Sequence, residues 1–280
     1  MKRYRTHKMQ FDGRLNALEL EINPEWEPTL KKEHAEIRVQ VIAGLIADYG
    51  GNYAVEKIRD YAAVGPMPLS IVAFHNQNLL QIRNAFCIGA YYPALAAACA
   101  LGERLLNELT QVLKTSYPAV LLPSKVTHAL KKESCHTWEL MCEALLAWGL
   151  ITADTGKRYE KLNKLRNRFA VHYNPDLMLT LRDNSLEAVH LISQIVQDQF
   201  SAFGHAPWLM GSTPGVEFIK KDWENDPFIK HFYLPSCLYV GPRHTLKFEN
   251  GWFVIDQDNV DGLPENMTDE EFTDAYNTSH

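Results

Sequence analysis

Arg166, Asn167 and His172 stand within the stretch EKLNKLRNRFAVHYNP, residues 160 to 175. These side chains can move a proton and hold a negative charge. A guanidinium presents a planar fork of donors to an oxyanion, an imidazole titrates near neutrality, and a carboxamide can orient either. Residue type alone allows the arginine an anionic partner and the histidine a proton or a charge at the helix end.

The stretch reads as an amphipathic helix from about Gly156 to Tyr173, stopped by Pro175. Counting 100° per residue from Leu162, the positions Leu165, Phe169 and Tyr173 fall within about 60° of it and define a face to be buried. Arg166 falls at about 40°, inside that stripe, and His172 at its edge near roughly 280°. Lys161, Lys164 and Arg168 form a basic ridge at roughly 200° to 260°, next to the histidine. An unpaired guanidinium on a packed face costs on the order of several kcal/mol, so Arg166 needs an anionic partner. Three are available to it: Glu103, a residue of a second copy, or a bound phosphate. The plain alternatives are that Arg166 runs its stem out to solvent, that His172 caps the helix C-terminus, and that Glu103 is solvated beside Arg104 and Asn107.

Helical spacing dominates the chain around this stretch. Residues 29 to 48 place Ile37, Val41, Leu45 and Ile46 three or four apart and stop at Gly50 and Gly51. Helices are expected over 52–63, 69–87 and 91–115, the last so rich in alanine and leucine that it should have neighbours on most sides. Others are expected over 134–149, opened by Ser134 or Thr137 and closed at Gly149, and over 183–203, opened at Asp183 or Asn184. SYPAVLLPS, residues 116 to 124, reads as a loop. Residues 1 to 28 alternate weakly up to Pro24 and Pro28, which suits a strand or an extended arm. After Pro207 glycine, proline and aromatics rise, and Asn250 with Gly251 between two extended runs signals a hairpin. The acidic end MTDEEFTDAYNTSH suits a solvated tail or a short terminal helix. The expected fold is mainly α in three segments: an N-terminal extension with helices over 1–68, a helical bundle over 69–205, and a region over 206–280 with a small β-hairpin appendage.

A formal net charge of -6 argues against coating a nucleic acid through the field of the whole molecule, so such a contact must come from a local basic patch. No long uncharged apolar run exists, and the basic start MKRYRTHK is followed by polar QFDGR, so a soluble cytoplasmic protein without a membrane partner is expected. Cys87, Cys99, Cys135, Cys142 and Cys237 are scattered without a CxxC pair and read as reduced core thiols. Cys135, His136 and Cys142 lack zinc spacing, and neither a metal nor another cofactor is expected. No basic recognition helix with helix-turn-helix spacing is evident, which ranks a DNA-binding regulator last.

LRNRFAVHYNP resembles the signature of the HEPN domains, a helical superfamily marked by an arginine, a polar residue directly after it, and a histidine a few residues on. Here Arg166 is followed by Asn167 and separated from His172 by five residues. The motif also follows a small-residue helix, AYYPALAAACALGERLLNEL, in the order the superfamily has. The resemblance covers about residues 70 to 205. It implies a HEPN-like bundle that dimerises so that two motif helices share a cleft. Many members are metal-independent ribonucleases of toxin-antitoxin, phage-defence or RNA-processing systems. On that resemblance Arg166 would hold the scissile phosphate, His172 would transfer a proton at the ribose 2′-hydroxyl or the leaving oxygen, and Asn167 would orient them. Lys161, Lys164 and Arg168 would track the RNA backbone, Tyr173 would stack or hydrogen-bond at the cleft, and Glu103 would support Arg166. The implied partners are RNA, a second copy, and an antitoxin or regulatory protein. Other members keep the fold without catalysis as dimerisation, sensor or regulatory modules, which is the alternative expectation. Members silenced by tyrosine nucleotidylation carry a tyrosine two residues after the histidine; this chain has Asn174 there and Tyr173 one place earlier.

Overall fold

The computed structural model describes residues 5–6, 12–68, 70, 72–117, 122–132, 137–171, 177–200, 208–211, 217–233, 240–241, 243–248, 252–257 and 267–279. Among these the protein is mainly helical, and no helix is long and apolar enough to cross a membrane. The helices are α1 (Arg14–Glu19), α2 (Pro28–Tyr49), α3 (Ala54–Val64), α4 (Ala73–Cys87), α5 (Tyr91–Leu113), α6 (Ser124–Leu130), α7 (Trp138–Ala147), α8 (Ala153–Leu165), α9 (Leu177–Phe200) and α10 (Asp269–Ser279). Short strands β1 (Arg5–Thr6), β2 (Glu217–Phe218) and β3 (Val240–Gly241) pair antiparallel in the order β2-β1-β3. β4 (Arg243–Phe248) pairs antiparallel with β5 (Trp252–Gln257), Phe248 opposite Trp252. Asn250 and Gly251 lie outside the described residues.

α5 is the central helix because its small and aliphatic residues recur on a wide face. Its buried positions from Ala94 to Leu113 cover about half its circumference, and α4, α7, α8 and α9 pack around it. One buried cluster runs from Val64 through these helices to Trp208, Phe228 and Tyr233. There Trp208 lies 4.7 Å from the Phe228 ring and 5.6 Å from Tyr233, closing the bundle beyond Phe200. α7 ends at Gly149, whose φ of 73° suits glycine, and Leu150 N–H returns to Leu145 O at 2.9 Å. The acidic end is a docked helix: Phe272 of α10 is buried and meets Phe218 at 4.8 Å.

Three elements differ from the sequence reading. The arm expected over 1–28 is helical over Arg14–Glu19. Leu15 is buried, Leu18 packs with it against Leu45 and Tyr61, and Arg14 binds Asp12 and Asp48 at 2.9 and 2.6 Å. So short a helix is marginal alone and is held by these contacts. α6, unforeseen, forms directly after Pro123 and buries Val126, Ala129 and Leu130. α9 is already helical at Leu177, so Asp183 and Asn184 lie inside it and cap nothing.

A buried carboxylate ties α3 to α5 and α9. Asp60 is 1% exposed. Its Oδ1 accepts from Arg182 Nε at 3.0 Å and Nη2 at 2.7 Å, and its Oδ2 accepts from the Tyr91 hydroxyl at 2.6 Å. Tyr91 is thus a packing and hydrogen-bonding residue at the head of α5.

His75 in α4 is fully buried, with Nδ1 3.0 Å from Ser70 Oγ and its ring edge-on to Phe200 at 4.5 Å. Burial, seconded by the charge of Arg104, pushes its imidazole from 6.5 down to about 3. Between those values the unfolded chain takes up a proton that the folded protein refuses, so the histidine's effect is absent above 6.5 and destabilises progressively below it. From about pH 7.5 to about pH 5.5 the expected loss is roughly 1.4 kcal/mol. Denaturant titrations at the two pH values should show that loss in the wild type and a smaller one in His75→Gln.

Candidate functional site

α8 is fastened before it delivers the motif. Thr152 caps it, its hydroxyl accepting from Thr155 N–H at 3.2 Å. Along the helix Arg158 Nη1 donates to Asp198 at 2.7 Å, and the buried Tyr159 hydroxyl donates to Gln199 at 2.8 Å, both on α9. Leu162, Leu165 and Phe169 are buried as one stripe. Gly102 lets α5 come close: a Cβ there would lie 2.6 Å from Leu162 Cδ2 and 3.1 Å from the Trp138 ring. Glu103 follows Gly102, and Arg166 lies one turn beyond Leu162, so this approach sets carboxylate and guanidinium face to face.

Arg166 Nε donates to Glu103 Oε2 at 3.1 Å and Nη2 to Oε1 at 3.3 Å, while Nη1 donates to Asn167 Oδ1 at 3.1 Å. Of the three partners open to Arg166 in the sequence, the protein's own Glu103 is the one in contact. The pair is half-buried, the side chains 27% and 25% exposed. A guanidinium carries five N–H groups; these bonds engage one on each nitrogen, leaving a second hydrogen on Nη1 and on Nη2. Asn167 is itself steadied by Asn163, Nδ2 to Oδ1 at 3.4 Å.

From Arg166 to Val171 the backbone widens into a π-helical turn, as it does again in the core over Ile229–Tyr233. Each residue past Arg166 therefore turns by less than the α-helical 100°. The angular places that uniform α spacing gives to Arg168 and His172 do not carry over. His172 and Tyr173 lie outside the described residues.

Of the basic ridge, Lys164 is exposed and paired with Glu160 at 2.6 Å, Lys161 is exposed, and Arg168 is exposed with its guanidinium 4.8 Å from the Phe169 ring centre. Directly beside this ridge, and sharing Glu160 with it, a cleft of about 460 Å³ against α7 is lined by Glu139, Glu143 and Glu160 with Lys157. Its three carboxylates repel a polyanion and confine one to the Arg168 end of the ridge.

Cys87, Cys99 and Cys142 are buried free thiols, and burial pushes Cys87 up to about 11 and the other two to about 12. They are inert packing groups. Cys135, His136 and Cys237 lie outside the described residues. Among the described residues no group of histidine, cysteine and carboxylate side chains is arranged to hold a metal. One further group escaped the sequence reading: Arg83 in α4 is 6% exposed and lines a second, larger cleft. Its signal was an arginine four residues after Leu79 and three before Phe86, inside an apolar stripe. No protein-family model matches this chain, and no curated protein or solved structure is similar enough to count as a match.

Proposed function

We propose that this chain is a HEPN-type, metal-independent endoribonuclease that acts as a homodimer, with a cleft formed where two motif helices meet. The observation that carries the reading is Arg166, which stands on an apolar helix face at a π-helical turn, oriented by Glu103 and Asn167, with two N–H groups left over for phosphate oxygens. RNA brings its own nucleophile. As the 2′-oxygen forms its bond to phosphorus and the P–O5′ bond breaks, one proton leaves the 2′-hydroxyl and one reaches the departing oxygen. His172 carries the proton transfer, Arg166 stabilises charge on the phosphoryl oxygens, and Asn167 orients both. Lys161, Arg168 and Tyr173 hold the strand, Lys164 less so because Glu160 neutralises it. A cytoplasmic toxin or phage-defence enzyme, restrained by an antitoxin or regulatory protein, fits such an activity.

The Glu103 bond also favours a second reading, a non-catalytic HEPN-like dimerisation, sensor or regulatory module, because that ion pair by itself satisfies a half-buried guanidinium. Incubating single-stranded RNA with the purified chain in EDTA separates the two. The ribonuclease leaves 2′,3′-cyclic phosphate and 5′-hydroxyl ends, and His172→Ala slows it about a hundredfold or more. No cleavage by either protein leaves the module.

A further inference from the structure

LLQIRNAF, residues 79 to 86 in α4, repeats the pattern of LNKLRNRF, residues 162 to 169: leucine, aliphatic, arginine, asparagine and phenylalanine at the same intervals. In both segments the leucine, the aliphatic residue and the phenylalanine are buried, so both arginines are carried inward. Their partners differ. Arg166 meets Glu103, whereas Arg83 Nη1 is buried with no hydrogen-bond partner at all. Asp12 acts on Arg83 only from a distance. That carboxylate already accepts from Arg14 Nε at 3.0 Å and Nη2 at 2.9 Å and from the Tyr61 hydroxyl at 3.0 Å. Asp48 is bound to Arg14 as well. Burial accordingly depresses the Arg83 guanidinium below its ordinary value.

Arg83 lines a cleft of about 1300 Å³ walled by α2, α3, α4 and α9, with Arg14 at its edge. Tyr61, Leu80 and Met67 give the cleft an apolar wall. Ser193 lines it too, and Ser193 Oγ is the second buried polar atom there without a partner. The Tyr61 ring, its centre 5.9 Å from the Arg83 guanidinium carbon, offsets part of the charge, but Nη1 and Ser193 Oγ both lack a hydrogen bond, and an acceptor-rich anion supplies both. Neutral water relieves the hydroxyl but not the charge.

We propose that this cleft binds a small organic anion, its phosphate or carboxylate group seated on Arg83 and Ser193 and its apolar body against Tyr61, Leu80 and Met67. The site is separate from Arg166 and does not depend on the ribonuclease reading.

Phenyl phosphate, benzoate and the neutral benzamide, each titrated into the full chain by calorimetry and thermal melting, test it. One of the two anions is expected to bind and to raise the melting temperature by about 3 °C at ten times its dissociation constant, and benzamide is not. Whichever anion binds tells phosphate from carboxylate. Arg83→Met is expected to abolish the response while melting no lower than the wild type, since a buried unpaired charge gives way to an apolar chain of similar reach. Ser193→Ala is expected to weaken the anion about tenfold and serves if Arg83→Met does not fold. Binding of neither anion up to about 10 mM, an equal response to benzamide, or an undiminished response in the variants would overturn the proposal.

Discussion

Arg166→Ala is expected to lower RNA cleavage by about two to three orders of magnitude, the usual consequence of removing one preorganised donor from a developing oxyanion. The same change strands Glu103 and should cost about 1 to 3 kcal/mol of stability, because the carboxylate is three-quarters buried. Glu103→Gln separates the two effects. It keeps an acceptor for Arg166 Nε but removes the charge and the second acceptor, the one that Nη2 uses, so cleavage should fall by less than about tenfold. If Arg166 is a purely structural cation, both variants lose stability and neither alters a rate, since the wild type has none to lose. Cleavage by Arg166→Ala within about threefold of the wild type would refute the role assigned to the guanidinium.

The largest expected loss of stability comes from Asp60→Ala, about 3 to 5 kcal/mol, or roughly 10 °C in melting temperature for a chain of this length. The substitution leaves the Arg182 guanidinium and the Tyr91 hydroxyl without their common acceptor inside the packed junction of α3, α5 and α9. Replacing both ions with apolar residues, Asp60→Leu with Arg182→Met, should recover most of the loss, because the harm lies in the unmatched partner. Urea titrations of the three proteins check this. A loss below about 1 kcal/mol for Asp60→Ala would mean that solvent reaches the site.

Periodicity was enough to locate the long bundle helices but not the seven-residue α6, because a buried stripe is written at intervals of three and four and a short helix repeats it too few times. It was poorer at saying how deeply a helix is buried. Ile37, Val41 and Leu45 mark α2 as a helix, yet Leu45 is its only buried residue and Ile37 is 49% exposed. α1 escaped notice because Leu18, Leu20 and Ile22 alternate with polar residues as a strand would, and what stabilises the helix lies far off in Asp48 and Tyr61. The π-helical turn had no signal, since angular counting assumes the α-helical repeat. An arginine inside an apolar stripe was a sound cue for a half-buried, paired cation at Arg166. The same cue stood at Arg83, where the sequence could not reveal that no carboxylate would arrive.

The Asp60 anchor also bears on the order in which the chain is assembled. Its partner Arg182 lies 122 residues further on. During synthesis the Tyr91 hydroxyl reaches the carboxylate early, but its charge meets Arg182 only when nearly the whole bundle has been made. α1 to α3 can therefore pack on α4 before α9 exists, and a nascent chain stalled there would lack the ion pair that fastens α3 to the last long helix.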